Sequence, residues 1–316
     1  MYRYVFGPVR SRRLGLSLGV NNVPYKTCSY SCIYCQLGRT TNLSVERRCF
    51  FDWREIVNDV KKFVQEQRPA LDYVTFVPDG EPTLDACIGK EIEALKGELG
   101  ARVAVLTNAS LLWAPEVAED LMDADLVSLK VDAVTERLWR LVNRPHPSLV
   151  LERVLDGMVD FSRSFRGTII TETMLVRGLN TSREELEAVA RFIGQLSPAK
   201  AYIAVPVRPP AEPFAEPATE EEVVRAYVTF SQVLGSGRTE MITSQEPPPE
   251  RAYGDPGTWL LNTVSVHPLR YDYALKVLGS AVKEPERIIE GLVEAGLIAK
   301  VDFQGHTYLV RRFAKM

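Results

Sequence analysis

The chain has 316 residues, of which 46% are hydrophobic and 25% charged, with a formal net charge of −3. That apolar content supports a sizeable core and excludes intrinsic disorder, and the mildly acidic balance gives no global attraction to nucleic acid, so any such binding needs a local patch. Five cysteines (Cys28, Cys32, Cys35, Cys49 and Cys87) form an odd, unevenly clustered set that does not resemble a disulfide framework. They fit a reducing cytosol, with the cluster kept for metal.

The first apolar run, residues 14–20, follows Arg12-Arg13 in a way that superficially resembles an export signal. It is short, diluted by Gly15, Ser17 and Gly19, and lacks a small-residue cleavage site. No segment approaches the roughly 18 consecutive apolar residues of a membrane span. The expectation is a soluble, cytoplasmic protein with no membrane partner. The same run reads as a first strand. A loop with three cysteines follows, then a helix over about 53–67. YVTFVP (73–78) is apolar on both sides, as in a buried parallel strand, and leads into DGEPTL and a helix over about 88–99. Strands at 102–108, 125–132, 168–176 and 201–207 alternate with helices near 115–122, 135–142, 149–164 and 182–196, the last capped from Asn180-Thr181-Ser182. Six strand–helix units in this rhythm predict an α/β fold with a parallel sheet and right-handed crossovers.

The pattern then changes. RPPAEPFAEPATEEE (208–222) reads as a Pro- and Glu-rich loop leading into a helix over 219–234, and its part 208–217 is either a substrate lid or a segment packed rigidly by its prolines. SQEPPPERAYGDPG (244–257) reads as a linker between residues 1–243 and a small unit at 258–316. That unit predicts helices at 271–278 and 284–295 and two strands joined by Gln304-Gly305, a winged-helix-like order.

CSYSCIYC (28–35) spaces its cysteines C-x3-C-x2-C. Soft thiolates select zinc, copper(I) or iron–sulfur clusters. Structural zinc wants four closed ligands, commonly as two separated C-x2-C pairs, and this loop supplies three with no second pair. A [4Fe–4S] cube on three cysteines would keep one iron open for a ligand that is not protein. Zinc, or a four-cysteine cluster completed by Cys49, is the competing assignment; otherwise Cys49 and Cys87 read as ordinary small buried residues.

C-x3-C-x-aromatic-C after the first strand of a β/α series resembles the radical S-adenosylmethionine (radical SAM) superfamily. The resemblance implies a partial (β/α)6 TIM-like barrel, with Cys28, Cys32 and Cys35 holding a [4Fe–4S] cluster. S-adenosylmethionine would occupy the open iron, with Tyr34 beside its adenine. It further implies that Asp79-Gly80-Glu81-Pro82 replaces the family's Gly-Gly-Glu-Pro-like turn that meets the methionine amino group. Strand ends would add Thr107 and Asn108, then Ser128, Lys130 and Asp132, then Glu172 and Met174. The implied chemistry is reductive cleavage to a 5′-deoxyadenosyl radical that abstracts hydrogen from a substrate, with electrons from a flavodoxin- or ferredoxin-type donor. Nearly the whole chain is similar to prokaryotic iron–sulfur oxidoreductases distantly related to the radical enzyme of tRNA wyosine synthesis. That enzyme's second cluster has no counterpart, because no cysteine precedes Cys28.

The substrate class stays open among an RNA base, a peptide and a small molecule. Lys26 and Arg39 flank the cysteine loop and are placed to meet an anion, whereas Arg10, Arg12 and Arg13 precede the first strand and could fold over either rim. His146, His267 and His306 lack metal-ligand spacing and read as structural or solvated. The rival function is an iron–sulfur redox sensor that binds nucleic acid through the tail. Residues 258–316 carry eight Lys or Arg against six Asp or Glu, and the would-be recognition helix PERIIEGLVEAG holds three glutamates, so phosphate binding is disfavoured.

Overall fold

The computed structural model describes residues 2–312. In chain order the elements are β1 (Val5–Ser11), β2 (Gly15–Val20), β3 (Thr27–Cys28), β4 (Asn42–Leu43), α1 (Trp53–Gln67), β5 (Tyr73–Phe76), α2 (Ile88–Leu99), β6 (Val103–Thr107), α3 (Pro115–Asp120) and β7 (Leu126–Lys130). Then follow α4 (Glu136–Val142), α5 (Leu151–Ser164), β8 (Thr168–Met174), α6 (Arg183–Leu196), β9 (Lys200–Ala204), α7 (Glu220–Leu234) and β10 (Thr239–Ile242). The C-terminal elements are α8 (Pro256–Val266), β11 (Leu269–Arg270), α9 (Tyr271–Leu278), α10 (Pro285–Glu294), β12 (Ile298–Phe303) and β13 (His306–Arg311).

The predicted alternation forms an α/β sheet of eight strands in the order β1-β2-β5-β6-β7-β8-β9-β10. From β2 to β10 every pairing is parallel, and β1 pairs antiparallel with β2 as a hairpin. Two of these strands lie outside the six read from sequence. β1 was hidden because Pro8 interrupts its alternation and removes a donor, which suits only an edge strand. β10 (TEMI) is short and follows a glycine-rich turn.

The helices start where local chemistry satisfies their first N–H groups. Asp52 accepts from Arg54 N at α1, Ser182 from Glu185 N at α6, and Thr219 forms a capping box with Glu222 at α7. Their buried stripes (Ile56, Val57, Val60 and Phe63 on α1; Leu186, Val189 and Ile193 on α6) pack onto the sheet.

The C-terminal elements have a core of their own around Trp259, Leu260, Leu269, Val277, Leu278, Ile289 and Leu309. β11, β13 and β12 form a three-stranded antiparallel sheet. α8 was not anticipated: it begins inside the expected linker, where Asp255 accepts from Thr258 N and Pro256 takes the first turn. Asp-Pro is a recognised helix start, so that signal was readable.

Candidate active site at the cysteine loop

A cavity of about 340 Å³ opens at the carboxyl end of the parallel strands, where α/β sheets gather ligand groups. Its wall includes Cys28, Cys32, Cys35, Tyr34, Gly80, Glu81, Thr107, Asn108, Ser128, Lys130, Glu172 and Met174. Most of the residues singled out in the sequence therefore come together. Asp79, Pro82 and Asp132 do not line it.

The three loop cysteines are free thiols. Each sulfur has a nitrogen donor: Asn108 Nδ2 at 3.6 Å and Tyr30 N at 3.5 Å from Cys28, Asn143 Nδ2 at 3.6 Å from Cys32, and Lys26 Nζ at 3.2 Å from Cys35. Lys26 is thus buried against a sulfur rather than presented to an anionic substrate. Burial pushes the Cys32 thiol up to about 11, with Asp132 adding to the rise, so the apo protein keeps it protonated. Three soft sulfurs ringed by N–H donors fit an anionic metal–sulfur group.

The turn after β5 is built against this loop. A Cβ on Gly80 would lie 1.8 Å from Thr27 O, so only glycine fits there. Lys26 N donates to Asp79 O at 2.8 Å and Glu81 N to Thr27 O at 3.0 Å. The Asp79 side chain takes a proton donor from Asn21 at 3.0 Å, and burial pushes its carboxyl up to about 7. Glu81 is saturated by this chain: its carboxylate accepts from Thr83 N at 3.1 Å, Thr83 Oγ1 at 2.6 Å, Thr107 Oγ1 at 2.5 Å and Asn108 N at 2.8 Å. It caps the short 3₁₀ turn 82–84 and ties β6 to it.

Asp132 is equally committed. One oxygen accepts from Tyr34 OH and from Asn143 Nδ2 at 2.7 Å, and the other from Met174 N at 2.8 Å. Lys130 points into the cavity, 2.6 Å from Glu172 and 4.9 Å from the Tyr34 ring centre, and its burial lowers the ammonium pKa. Glu172 also pairs with Arg13. Ser128 lies two residues before Lys130 on β7 and lines the same cavity.

Sequence reading did not anticipate how the mouth is closed. Arg12 and Arg13, at the tip of the β1–β2 hairpin, reach the same cavity as the cysteines. Arg12 donates to the carbonyls of Ile242 and Ser244, joining the two edges of the sheet. The C-terminal elements then seal one side: Gln36 Nε2 donates to Val266 O at 2.9 Å, Arg208 Nε to Pro268 O at 3.1 Å, and Arg208 lies 2.6 Å from Glu246. His267 sits 2.9 Å from Arg208; burial, then Arg208, lower its pKa to about 3, so it is neutral. Against its own burial, the guanidinium groups of Arg208 and Arg12 hold Glu246 well below the usual carboxylate range. Arg208 in the Pro-rich loop was the only advance signal, and Glu246 had none. The rest of that loop is pinned, with Glu212 accepting from Arg39 at 2.8 Å and pairing with Arg144. Arg10 lies outside the cavity, paired with Glu250.

The reading of Cys49 and Cys87 as ordinary buried residues needs correction. They form a disulfide, and Cys49 is exposed. Nothing in the local spacing announces this; the partners are 38 residues apart and meet only through the fold.

The pattern of the Radical SAM superfamily matches residues 22–193, more than half of the chain. The chain belongs to the radical SAM superfamily. It is 37% identical over 307 residues to a UPF0026 protein of Methanocaldococcus jannaschii, covering 97% of this chain and 95% of that protein. A Helicobacter pylori UPF0026 protein is 31% identical over 242 residues, covering 76% and 77%. A radical SAM methyltransferase from Sphaerobacter thermophilus superposes with a TM-score of 0.53 at 18% identity, over 72% of this chain and 66% (just under two thirds) of that one, a likeness of fold. The chain is thus a radical SAM enzyme with the superfamily's partial barrel, and that superfamily works with S-adenosylmethionine and an iron–sulfur cluster. No helix among the described residues is long and apolar enough to cross a membrane.

Proposed function

We propose that Cys28, Cys32 and Cys35 hold a [4Fe–4S] cluster and that S-adenosylmethionine lies in the cavity beside it. The observation that carries this reading is three free cysteines, each with an N–H donor, on one wall of a cavity lined by strand ends. Together the cluster and S-adenosylmethionine supply one-electron cleavage of the sulfonium and a 5′-deoxyadenosyl radical that takes hydrogen from the substrate. The chain's own part is to bind, orient and shield.

In this reading Gly80 gives the methionine end close access to backbone, and Tyr34 presents its ring to the adenine. Asn108, Ser128 and Lys130 are the remaining polar groups in reach. Glu81 lines the wall with its carboxylate engaged by this chain, and Asp79, Pro82 and Asp132 support from behind it. The Arg12–Glu246–Arg208–His267 cluster keeps water from the mouth, which a reactive radical requires.

We assign residues 1–243 to the barrel and 258–316 to a winged-helix-like unit that caps it. Val266 and Pro268 of that unit already face the barrel, which favours docking over reading nucleic acid. The substrate is a small molecule or a single residue of an RNA or peptide that fits inside the closed mouth. A flavodoxin- or ferredoxin-type protein is the electron donor, and the expected compartment is the cytoplasm.

The test is anaerobic reconstitution with iron and sulfide, then dithionite and S-adenosylmethionine. Release of 5′-deoxyadenosine is expected. A fully iron-loaded protein that releases none overturns the proposal.

A further inference from the structure

Outside the cavity, the chain leaving the cysteine loop runs beside the residues that follow the 79–82 turn. Arg48 N donates to Leu84 O and Ala86 N to Arg48 O, both at 3.1 Å. This brings Cys49 against Asp85 and Cys87. The two sulfurs and an Asp85 carboxylate oxygen lie within 4.8 Å of one another, the one such triplet among the described residues.

The surroundings of this triplet differ from those at the cysteine loop, where each sulfur has a nitrogen donor. Asp85 Oδ2 in the triplet, Glu91 Oε1 beside Asp85, and Asn22 Oδ1 beside Glu91 are buried and meet no N–H or hydroxyl donor. Asp85, Glu91 and Asn22 are all fully covered. The carboxyl groups of Asp85 and Glu91 lie within hydrogen-bonding reach of each other, and Asn22 Nδ2 is 3.5 Å from the other Glu91 oxygen. The available donors are spent elsewhere. Cys87 N serves Asp85 Oδ1 at 2.8 Å, and Arg47 is held by Thr83 O, Asp85 O and Asp120 rather than by the Asp85 carboxylate. A concentration of buried acceptors without such donors calls for a proton, an ion or water. The Asp85–Glu91 pair is bridged by a proton, whose place a cation can take.

We propose that this is a divalent-cation site of zinc type, exclusive with the disulfide: when the disulfide is reduced, Cys49, Cys87 and Asp85 bind the ion and a water completes its shell. Two thiolates with carboxylate oxygen form a donor set for zinc, which accepts sulfur and oxygen at four-coordinate sites. Cys49 is exposed, so its side chain can swing from Cys87 and the ion has an entry path. Opening takes two electrons and two protons from a cellular dithiol, which becomes a disulfide; the two new thiols then lose their protons as zinc–sulfur bonds form. Either state ties the segment below the cysteine loop to the start of α2, immediately after the 79–82 turn.

The experiment uses the full chain with Cys28, Cys32 and Cys35 all changed to alanine, which removes the competing thiols and makes the result independent of radical chemistry. After reduction and anaerobic desalting, it is titrated with zinc and, separately, with cobalt(II). One equivalent of zinc and a thiolate-to-cobalt charge-transfer band are expected. Asp85→Asn should weaken zinc at least 10-fold, Cys49→Ala should abolish the band, and the oxidised chain should bind none. No zinc on the reduced chain, or an undiminished affinity in Asp85→Asn, overturns the proposal. Should Asp85→Asn fail to fold, Cys49→Ala at its exposed position decides, and retained stoichiometric zinc there overturns it.

Discussion

The two cysteine groups of this chain share an element and face different surroundings. Around Cys28, Cys32 and Cys35 the neighbours are donors: two amide side chains, a backbone N–H and an ammonium. Beside Cys49 and Cys87 stands the carboxyl of Asp85, one of whose oxygens meets no N–H or hydroxyl donor, and which lies against buried Glu91. Donors stabilise charge left on a metal-bound sulfur, and buried acceptors without such donors call for a proton or a cation. Residue type alone does not separate the two groups; the charge presented to each sulfur does.

The comparison breaks most sharply at the cysteines themselves. Cys32→Ala should remove the bound iron and all 5′-deoxyadenosine formation, while Cys49→Ala leaves both intact. Iron per chain and product by chromatography check this; equal losses in both variants would erase the distinction. Next in size is stability. The disulfide closes a 38-residue separation, so replacing Cys49 and Cys87 together by serine should cost about 4 kcal/mol in non-reducing urea unfolding without added zinc. The barrel should still take up iron. Smaller again is Lys26→Met, which removes a buried donor 3.2 Å from Cys35 while keeping its volume. Outer-shell changes of this kind lower metal affinity or activity roughly 10–100-fold. Lys26→Arg should recover part of that loss if the donor matters, and neither variant should alter zinc binding at Cys49.

Legibility in the sequence followed locality. The helices and the six inner parallel strands were readable because periodicity, caps and turn residues act within a few positions. The cysteine loop and the 79–82 turn were readable for the same reason. What the sequence concealed depends on residues distant in the chain. Arg12 and Arg13 face the cysteines only because an unexpected edge strand folds them back as a hairpin tip. Cys49 meets Cys87 only because Arg48 pairs with segment 84–86. Glu81 and Asp132 carried the right side-chain chemistry, yet their oxygens are spent on Thr83, Thr107, Asn108, Tyr34, Asn143 and Met174, which no spacing could reveal.

The last predicted effect, absent at neutral pH, separates the mouth of the cavity from both sulfur sites. His267 is kept neutral by burial and by the cations Arg208 and Arg12, against the attraction of Glu246, so its pKa falls from 6.5 to about 3. The unfolded chain therefore binds a proton between those values that the folded chain does not, and stability must fall as pH drops from about 6.5 toward about 3. Full stability from this group is present above the unfolded value. His267→Gln keeps a polar side chain beside Arg208 but cannot titrate. It should flatten the acid limb of the urea-unfolding profile and leave the neutral limb, the iron content and zinc binding unchanged. An unaltered acid limb would mean that His267 takes up its proton without leaving the Arg208–Glu246 cluster, and that the mouth is held by Glu246 alone.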